Sequence, residues 1–202
     1  SLNADCLRAA GKRHNRVEEY RELIEAYQAA HISTHVGYII GFPADTADSV
    51  RGVLARLMEE VRPDHASFFI LVPLPGSQDY VEMLRRGEWM HPDFNLYDSN
   101  HEVTAHGSLR DGALKRLYFE AWRTFYSFEN MKAILQRTPA CNYWNNLMRF
   151  MWYKNSILTE GRHPMMCGFL RLKGRKERRP GVPILSRWEY FKSRVAELRS
   201  DF

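Results

Sequence analysis

Two short apolar runs on either side of a helical pattern constrain the fold of this chain more than any other feature. The runs cover residues 35–41 and 67–72, and their lengths suit buried strands. Between them, apolar residues recur at helical spacing over residues 50–61, and Asp45 or Thr46 is placed to cap that helix. A strand, a helix and a strand of these lengths predict two parallel strands joined by a right-handed crossover.

A further helix is predicted ahead of the first strand, because residues 18–31 carry an amphipathic stripe. Helices alternating with buried strands predict an α/β sheet or barrel. Two strands cannot close such a sheet, so we expect the remaining strands upstream of Ser1 or in a partner. The sequence opens with neither a signal peptide nor a methionine, which is typical of a chain cut from a longer one. No window approaches 18 consecutive apolar residues, which excludes a transmembrane helix.

The rest of the chain is predicted to be mostly helical. Helical patterns cover residues 78–86, 109–136, 142–158 and a final segment that starts at the capping box Ser186–Glu189. Residues 88–108 form an irregular stretch between them. Six aromatic residues at helical spacings predict a core between two of these helices, and a substrate platform is the alternative. They are Trp122, Phe125, Tyr126, Trp144, Trp152 and Tyr153.

The positive charge of the chain lies at its C-terminal end. The net charge is +5, and residues 161–202 hold 11 Lys and Arg against 4 Asp and Glu. The densest cluster, residues 171–179, is predicted to be a solvated loop, or else a site for nucleic acid or an anionic membrane. No nucleic-acid-binding motif accompanies it.

Two further candidate sites have weak signals. The three cysteines lie far apart, which excludes a disulfide framework and a local CxxC metal site and indicates a reducing cytosol. Of these, Cys167 is the thiol kept as a functional candidate. Residues 101–106 nearly spell the zinc motif HExxH, but alanine stands at 105 where the second histidine is needed.

The loops that follow the two predicted strands are the strongest candidates for a binding site. Ligands of parallel α/β folds bind beyond the carboxyl ends of the strands. Those ends are residues 41–46 and 73–77, each with a glycine, prolines and a following helix N-terminus. Ordinary turns between strand and helix are an equally good interpretation of these residues alone.

The stretch HVGYIIGFPADTADSV, followed by FFILVPLPGSQDY, resembles the second half of the radical S-adenosylmethionine (radical SAM) core. Residues 37–46 resemble the GxIxGxxE-type end of the family's fifth strand, often written GFPGET, with Ala44 for glycine and Asp45 for glutamate. Residues 73–77 resemble the PxPGT end of its sixth strand, and residues 1–15 the segment after its fourth. The likeness is greatest to members that often carry an N-terminal cobalamin-binding domain.

The resemblance implies an α/β fold, the C-terminal portion of a (β/α)6 partial TIM barrel followed by a mostly α-helical region. Residues 1–90 would be the barrel part, and residues 91–202 a helical extension with a basic loop at 162–183. The implied function is that of an oxidoreductase or transferase that binds S-adenosylmethionine (SAM) and acts on an unidentified small molecule. The implied location is the cytoplasm. Eight residues would contact SAM: Ser1, Lys12, Ile40, Gly41, Phe42, Pro43, Val72 and Pro73.

Each of these residues has an implied role. Lys12 would pair with the methionyl carboxylate of SAM, and Ser1 would reach a hydroxyl or amine. The residues of the two loops would wall the adenine with backbone and apolar surface. In the family a 4Fe–4S cluster, held by CxxxCxxC, reduces SAM to release a 5′-deoxyadenosyl radical.

One departure from the family pattern is severe, because this chain has no CxxxCxxC. We therefore expect the cluster ligands, the first half of the barrel and any cobalamin domain to lie upstream, and the isolated chain to be inactive. The alternative is a non-catalytic module that binds polyanions through its basic tail.

Overall fold

A computed structural model describes Arg16 and residues 19–161, 163–165 and 185–200. The chain divides into two compact units, residues 1–154 and 155–202. In the second unit a π-helical turn spans Ser156–Glu160, and the last helix spans Arg187–Ser200. Its predicted capping box is confirmed, since Ser186 Oγ accepts from Glu189 N–H and Glu189 Oε2 accepts from Ser186 N–H. None of the described helices is long and apolar enough to span a membrane.

The first unit begins with the predicted helix–strand–helix–strand order. Its elements are α1 (Tyr20–Ala29), β1 (His35–Ile40), α2 (Ala47–Arg56), a π-helical turn (Leu57–Val61) and β2 (His65–Ile70). The two strands pair in parallel, with His35 opposite His65 and Ile40 opposite Ile70. Barrel closure stays a prediction, because the described residues form one two-stranded sheet.

Helices make up most of the remainder of this unit. They are α3 (Gln78–Arg85), a 3₁₀ turn (Phe94–Leu96), α4 (Ala113–Phe125), α5 (Phe128–Arg137) and α6 (Tyr143–Asn155). The prediction of one helix over residues 109–136 is wrong, because the chain turns at Tyr126 and Ser127. Ser127 caps α5 through its hydroxyl, which accepts from Asn130 N–H at 3.3 Å.

The two edges of the sheet are treated differently. Along the outer edge of β2, the Tyr126 hydroxyl donates to Ala66 O at 2.7 Å and accepts from Ala66 N–H at 3.2 Å. Further along, Ile70 N–H donates to Ser99 O at 2.7 Å. A side chain and a loop thus satisfy the backbone that a third strand would otherwise pair with. The outer edge of β1 has no strand beside it among the described residues.

The aromatic core lies between β2 and α4. Phe68 is fully buried against Trp122 and Phe125 of α4, with ring centroids 5.3 and 6.0 Å away. The predicted core position is wrong for Trp144 and Trp152, which are 68% and 51% exposed. Their spacing is helical, but they lie on the side of α6 opposite buried Asn146 and Phe150.

Candidate functional site

Two loops leave the sheet side by side at its carboxyl edge, and these are the loops that the sequence singles out. The first loop comprises residues 41–46 and the second loop residues 71–77. At its start the second loop is bonded to the end of β1, where Leu71 N–H donates to Ile40 O at 2.8 Å, one residue before the first loop begins. Each loop opens onto a helix whose start is capped by a hydroxyl, Thr46 for α2 and Ser77 for α3.

Glycine is required at the start of the first loop. Gly41 has a φ of +105°, a region that side chains rarely enter. A Cβ at this position would lie 3.3 Å from both methyl carbons of Leu114 on α4. The positive φ therefore calls for glycine here, and a side chain would also have to displace the end of Leu114 by a few tenths of an ångström.

Asp45 holds the shape of the first loop from within. Its Oδ2 accepts hydrogen bonds from the backbone N–H groups of Gly41 and Phe42, both at 2.9 Å, and its own N–H donates to Phe42 O at 2.8 Å. The cap of α2 is Thr46, whose Oγ1 accepts from Ser49 N–H. Asp45 thus binds back onto the loop, and it takes up two amides that a ligand could otherwise have used.

Replacing Asp45 with alanine is expected to lower the free energy of unfolding by about 2–3 kcal/mol, because it removes a charged acceptor from one buried and one partly buried backbone donor. Asp48 is the matched control: it lies one turn further on, with its side chain 97% exposed, and its alanine variant is expected to change stability by less than about 0.5 kcal/mol. Urea denaturation measures both. Equal losses in the two variants would contradict the role assigned to Asp45.

A third segment ties the two strand ends together. We call residues 98–106 the strap. Near one end, Ser99 O accepts from Ile70 N–H of β2, and at the other end His106 Nε2 lies 2.9 Å from Phe42 O in the first loop. Sequence reasoning missed this arrangement, because the strap has no periodicity and its anchors are distant in the chain.

The histidines of the strap are engaged with protein atoms. His106 Nδ1 accepts from the N–H groups of Ser108 and Leu109, at 3.1 and 2.9 Å. His101 Nδ1 lies 2.9 Å from Asp98 Oδ1. No group of three His, Cys, Asp or Glu residues placed to hold a metal occurs in the described parts of the chain.

Asp98 accepts hydrogen bonds from other residues of the strap. Burial raises the pKa of its carboxyl, but hydrogen bonds from His101 and Asn100 outweigh burial and hold that pKa below its usual value. Asn100 in turn accepts from the Tyr118 hydroxyl at 2.9 Å, which joins the strap to α4. These bonds fix the strap at both its anchors and its middle.

The predicted site residues fall into three groups. Ile40, Gly41 and Pro73 are buried, Phe42 and Val72 are partly exposed, and Pro43 is exposed. The two strand ends bring these six residues together at one edge of the sheet. Ser1 and Lys12 lie outside the described residues, as do Cys6, Cys167 and the basic segment 171–179. Cys141 is exposed on a loop ahead of α6.

Comparison with known proteins gives one distant relative. A bacteriochlorophyllide d C-12(1)-methyltransferase of Chlorobaculum tepidum is 24% identical over 158 residues, which cover 78% of this chain and 32% of the relative. The chain thus resembles part of an enzyme. No protein-family model matches it, and no solved structure does either.

The aligned 158 residues exceed the first 90, so the similarity extends into the helical region of the chain. The chain spans about a third of the length of the relative. The activity of the whole protein is therefore proposed below.

Proposed function

We propose that this chain is part of a SAM-dependent methyltransferase of the radical SAM family, and that its first and second loops bind the adenosyl part of SAM. The observation that carries the proposal is that the two loops leave paired parallel strands at the same end of the sheet, where Leu71 N–H of the second loop donates to Ile40 O at the end of β1. The similarity to a methyltransferase supports transfer of a methyl group, for which SAM is the natural donor.

The exposure of the loop residues divides their roles. Ile40 and Pro73 are buried, so they shape the loops from beneath. Phe42, Pro43 and Val72 retain exposed surface and would contact the ligand. Because Asp45 already occupies the N–H groups of Gly41 and Phe42, adenosine would be held mainly by apolar surface. We assign Lys12 and Ser1 the carboxylate and a polar group of SAM.

The described residues offer no fit for a 4Fe–4S cluster, which needs thiolate ligands. Cys141 is the one cysteine among them, and no metal-holding group forms around it. We propose that the cluster ligands are the cysteines of a CxxxCxxC motif that lies upstream in the natural reading frame. Any cobalamin-binding domain would lie upstream as well. Sequencing that frame tests this part directly: a frame that starts near Ser1 would contradict radical chemistry.

The substrate of the relative is the first molecule to try as a methyl acceptor. The name of the relative specifies bacteriochlorophyllide d. Fold resemblance alone does not fix a substrate, so we propose no narrower class.

Binding of SAM is the decisive test. In titration calorimetry with the natural full-length protein, Phe42→Ala is expected to raise the Kd for SAM about tenfold, because it removes the apolar surface beside the adenosyl site. Phe94→Ala is the control, since Phe94 is 59% exposed on the 3₁₀ turn and outside both loops. A wild-type protein that does not bind SAM would overturn the proposed function.

A further inference from the structure

The first loop is held by two residues that act over different distances. Asp45 lies within the loop and fixes its local shape. His106 lies 64 residues after Phe42 in the chain, and its bond to Phe42 O connects the loop to the strap. The strap is anchored in turn to the end of β2 by Ser99. The bonds of Asp45 therefore fix the conformation of the first loop, while the bond of His106 fixes its position relative to the strap.

The protonation of His106 follows from its partners. Because Nδ1 accepts from two backbone N–H groups, it carries no proton. Nε2 therefore carries the ring proton and donates it to the carbonyl of Phe42. Both ring nitrogens are used, so this histidine acts through the loop and not through contact with a reactant.

We propose that His106 is a positioning residue for SAM and that the strap is the third wall of the SAM site, beside the first and second loops. The inference rests on the proposed function, because the loop that His106 holds is the loop assigned to adenosine. Its physical basis is a hydrogen bond that fixes the peptide of Phe42, the residue whose side chain faces the ligand.

Two conservative variants separate the two ends of the imidazole. In His106→Gln the amide nitrogen can replace Nε2 as donor to Phe42 O, while the acceptor for the Ser108 and Leu109 amides is lost. In His106→Asn the amide oxygen can replace Nδ1 as that acceptor, while the donor to Phe42 is lost. A purely local role in the turn would be preserved by asparagine, and a positioning role by glutamine.

The test is the Kd for SAM of the natural full-length protein, measured by titration calorimetry. His106→Asn is expected to raise the Kd about five- to tenfold, and His106→Gln less than about twofold. His91→Asn is the matched control. The Nδ1 of His91 also accepts an N–H two residues further on, that of Asp93, but no bond joins it to either loop in the described structure. Its Kd is expected to match the wild type.

The outcomes are distinct. If the wild type binds SAM and His106→Asn binds it equally well, the positioning role is overturned while the SAM site stands. Weaker binding by glutamine than by asparagine would likewise overturn it, and failure of the wild type to bind would overturn the proposed function itself. If the asparagine variant does not fold, hydrogen exchange of the wild-type backbone amides provides the test. Addition of SAM is expected to slow exchange over residues 98–109. Unchanged exchange would contradict the proposal that the strap is the third wall of the SAM site.

Discussion

Replacing Phe68 with alanine is expected to lower the free energy of unfolding by about 3–5 kcal/mol, the usual loss for a large aromatic side chain deleted from a packed core. Phe68 is fully buried in β2. Its ring contacts Trp122 and Phe125 of α4 on one side and Tyr38 of β1 on the other, with centroids 5.3 to 6.3 Å apart. The variant would leave a cavity where the sheet and α4 join. Urea denaturation at neutral pH measures the loss.

The adjacent residue provides the control. Phe69 follows directly on the same strand but lies on the opposite face of the sheet and is partly exposed. Phe69→Ala is expected to lose less than half as much stability as Phe68→Ala. Equal losses would show that the face of the sheet away from α4 is as well packed as the face toward it.

Acidification is expected to remove about 3 kcal/mol of stability through His65. The pKa of this imidazole falls from 6.5 to about 4, mainly because burial disfavours the charged form. The nearby His35 and Arg149 also lower this pKa, and the hydrogen bond with Asn146 and the charge of Asp64 oppose the shift. The folded state therefore holds His65 neutral. Its contribution is complete above pH 6.5, where the unfolded chain is neutral too, and it is lost as the pH falls toward 4.

Urea denaturation of wild type and His65→Gln at pH 7 and pH 4 measures this effect. The glutamine variant cannot titrate, and its amide can still donate to Asn146 Oδ1, the group 3.2 Å from His65 Nε2. Between pH 7 and pH 4, the loss of stability of this variant is expected to be about 3 kcal/mol smaller than that of the wild type. Parallel curves for wild type and His65→Gln would contradict the burial of a neutral histidine.

The parts of the fold that depend on local pattern were predictable. The apolar run at residues 35–41 corresponds to β1 at His35–Ile40, and the parallel pairing of the two strands is confirmed. The helix between them was expected to continue to Val61, but its last turn, Leu57–Val61, is π-helical. Apolar spacing over a single turn does not distinguish the two helix types, because the same residues stay on the buried face.

The parts of the site that depend on distant contacts were not predictable. Gly41 and Phe42 were identified from their motif, yet the partners that hold them, Asp45 and His106, were assigned to a helix cap and to a near-match for zinc. Asp45 is close in sequence, but a carboxylate after a glycine turn can cap a helix or bind back on its loop with equal ease. His106 reaches Phe42 only because the strap returns across the sheet, and no periodicity encodes that path.

The two outer edges of the sheet differ in how readily they could pair with a further strand. The Tyr126 hydroxyl and the Ser99 carbonyl occupy outer backbone groups of Ala66 and Ile70 in β2, so an added strand there would first have to displace both. Beside β1, the described residues place no further strand. Any further parallel strand, whether from the same polypeptide or another, would join next to β1. Its carboxyl end would then emerge beside the first loop, where it could add side chains to the edge that already carries Phe42.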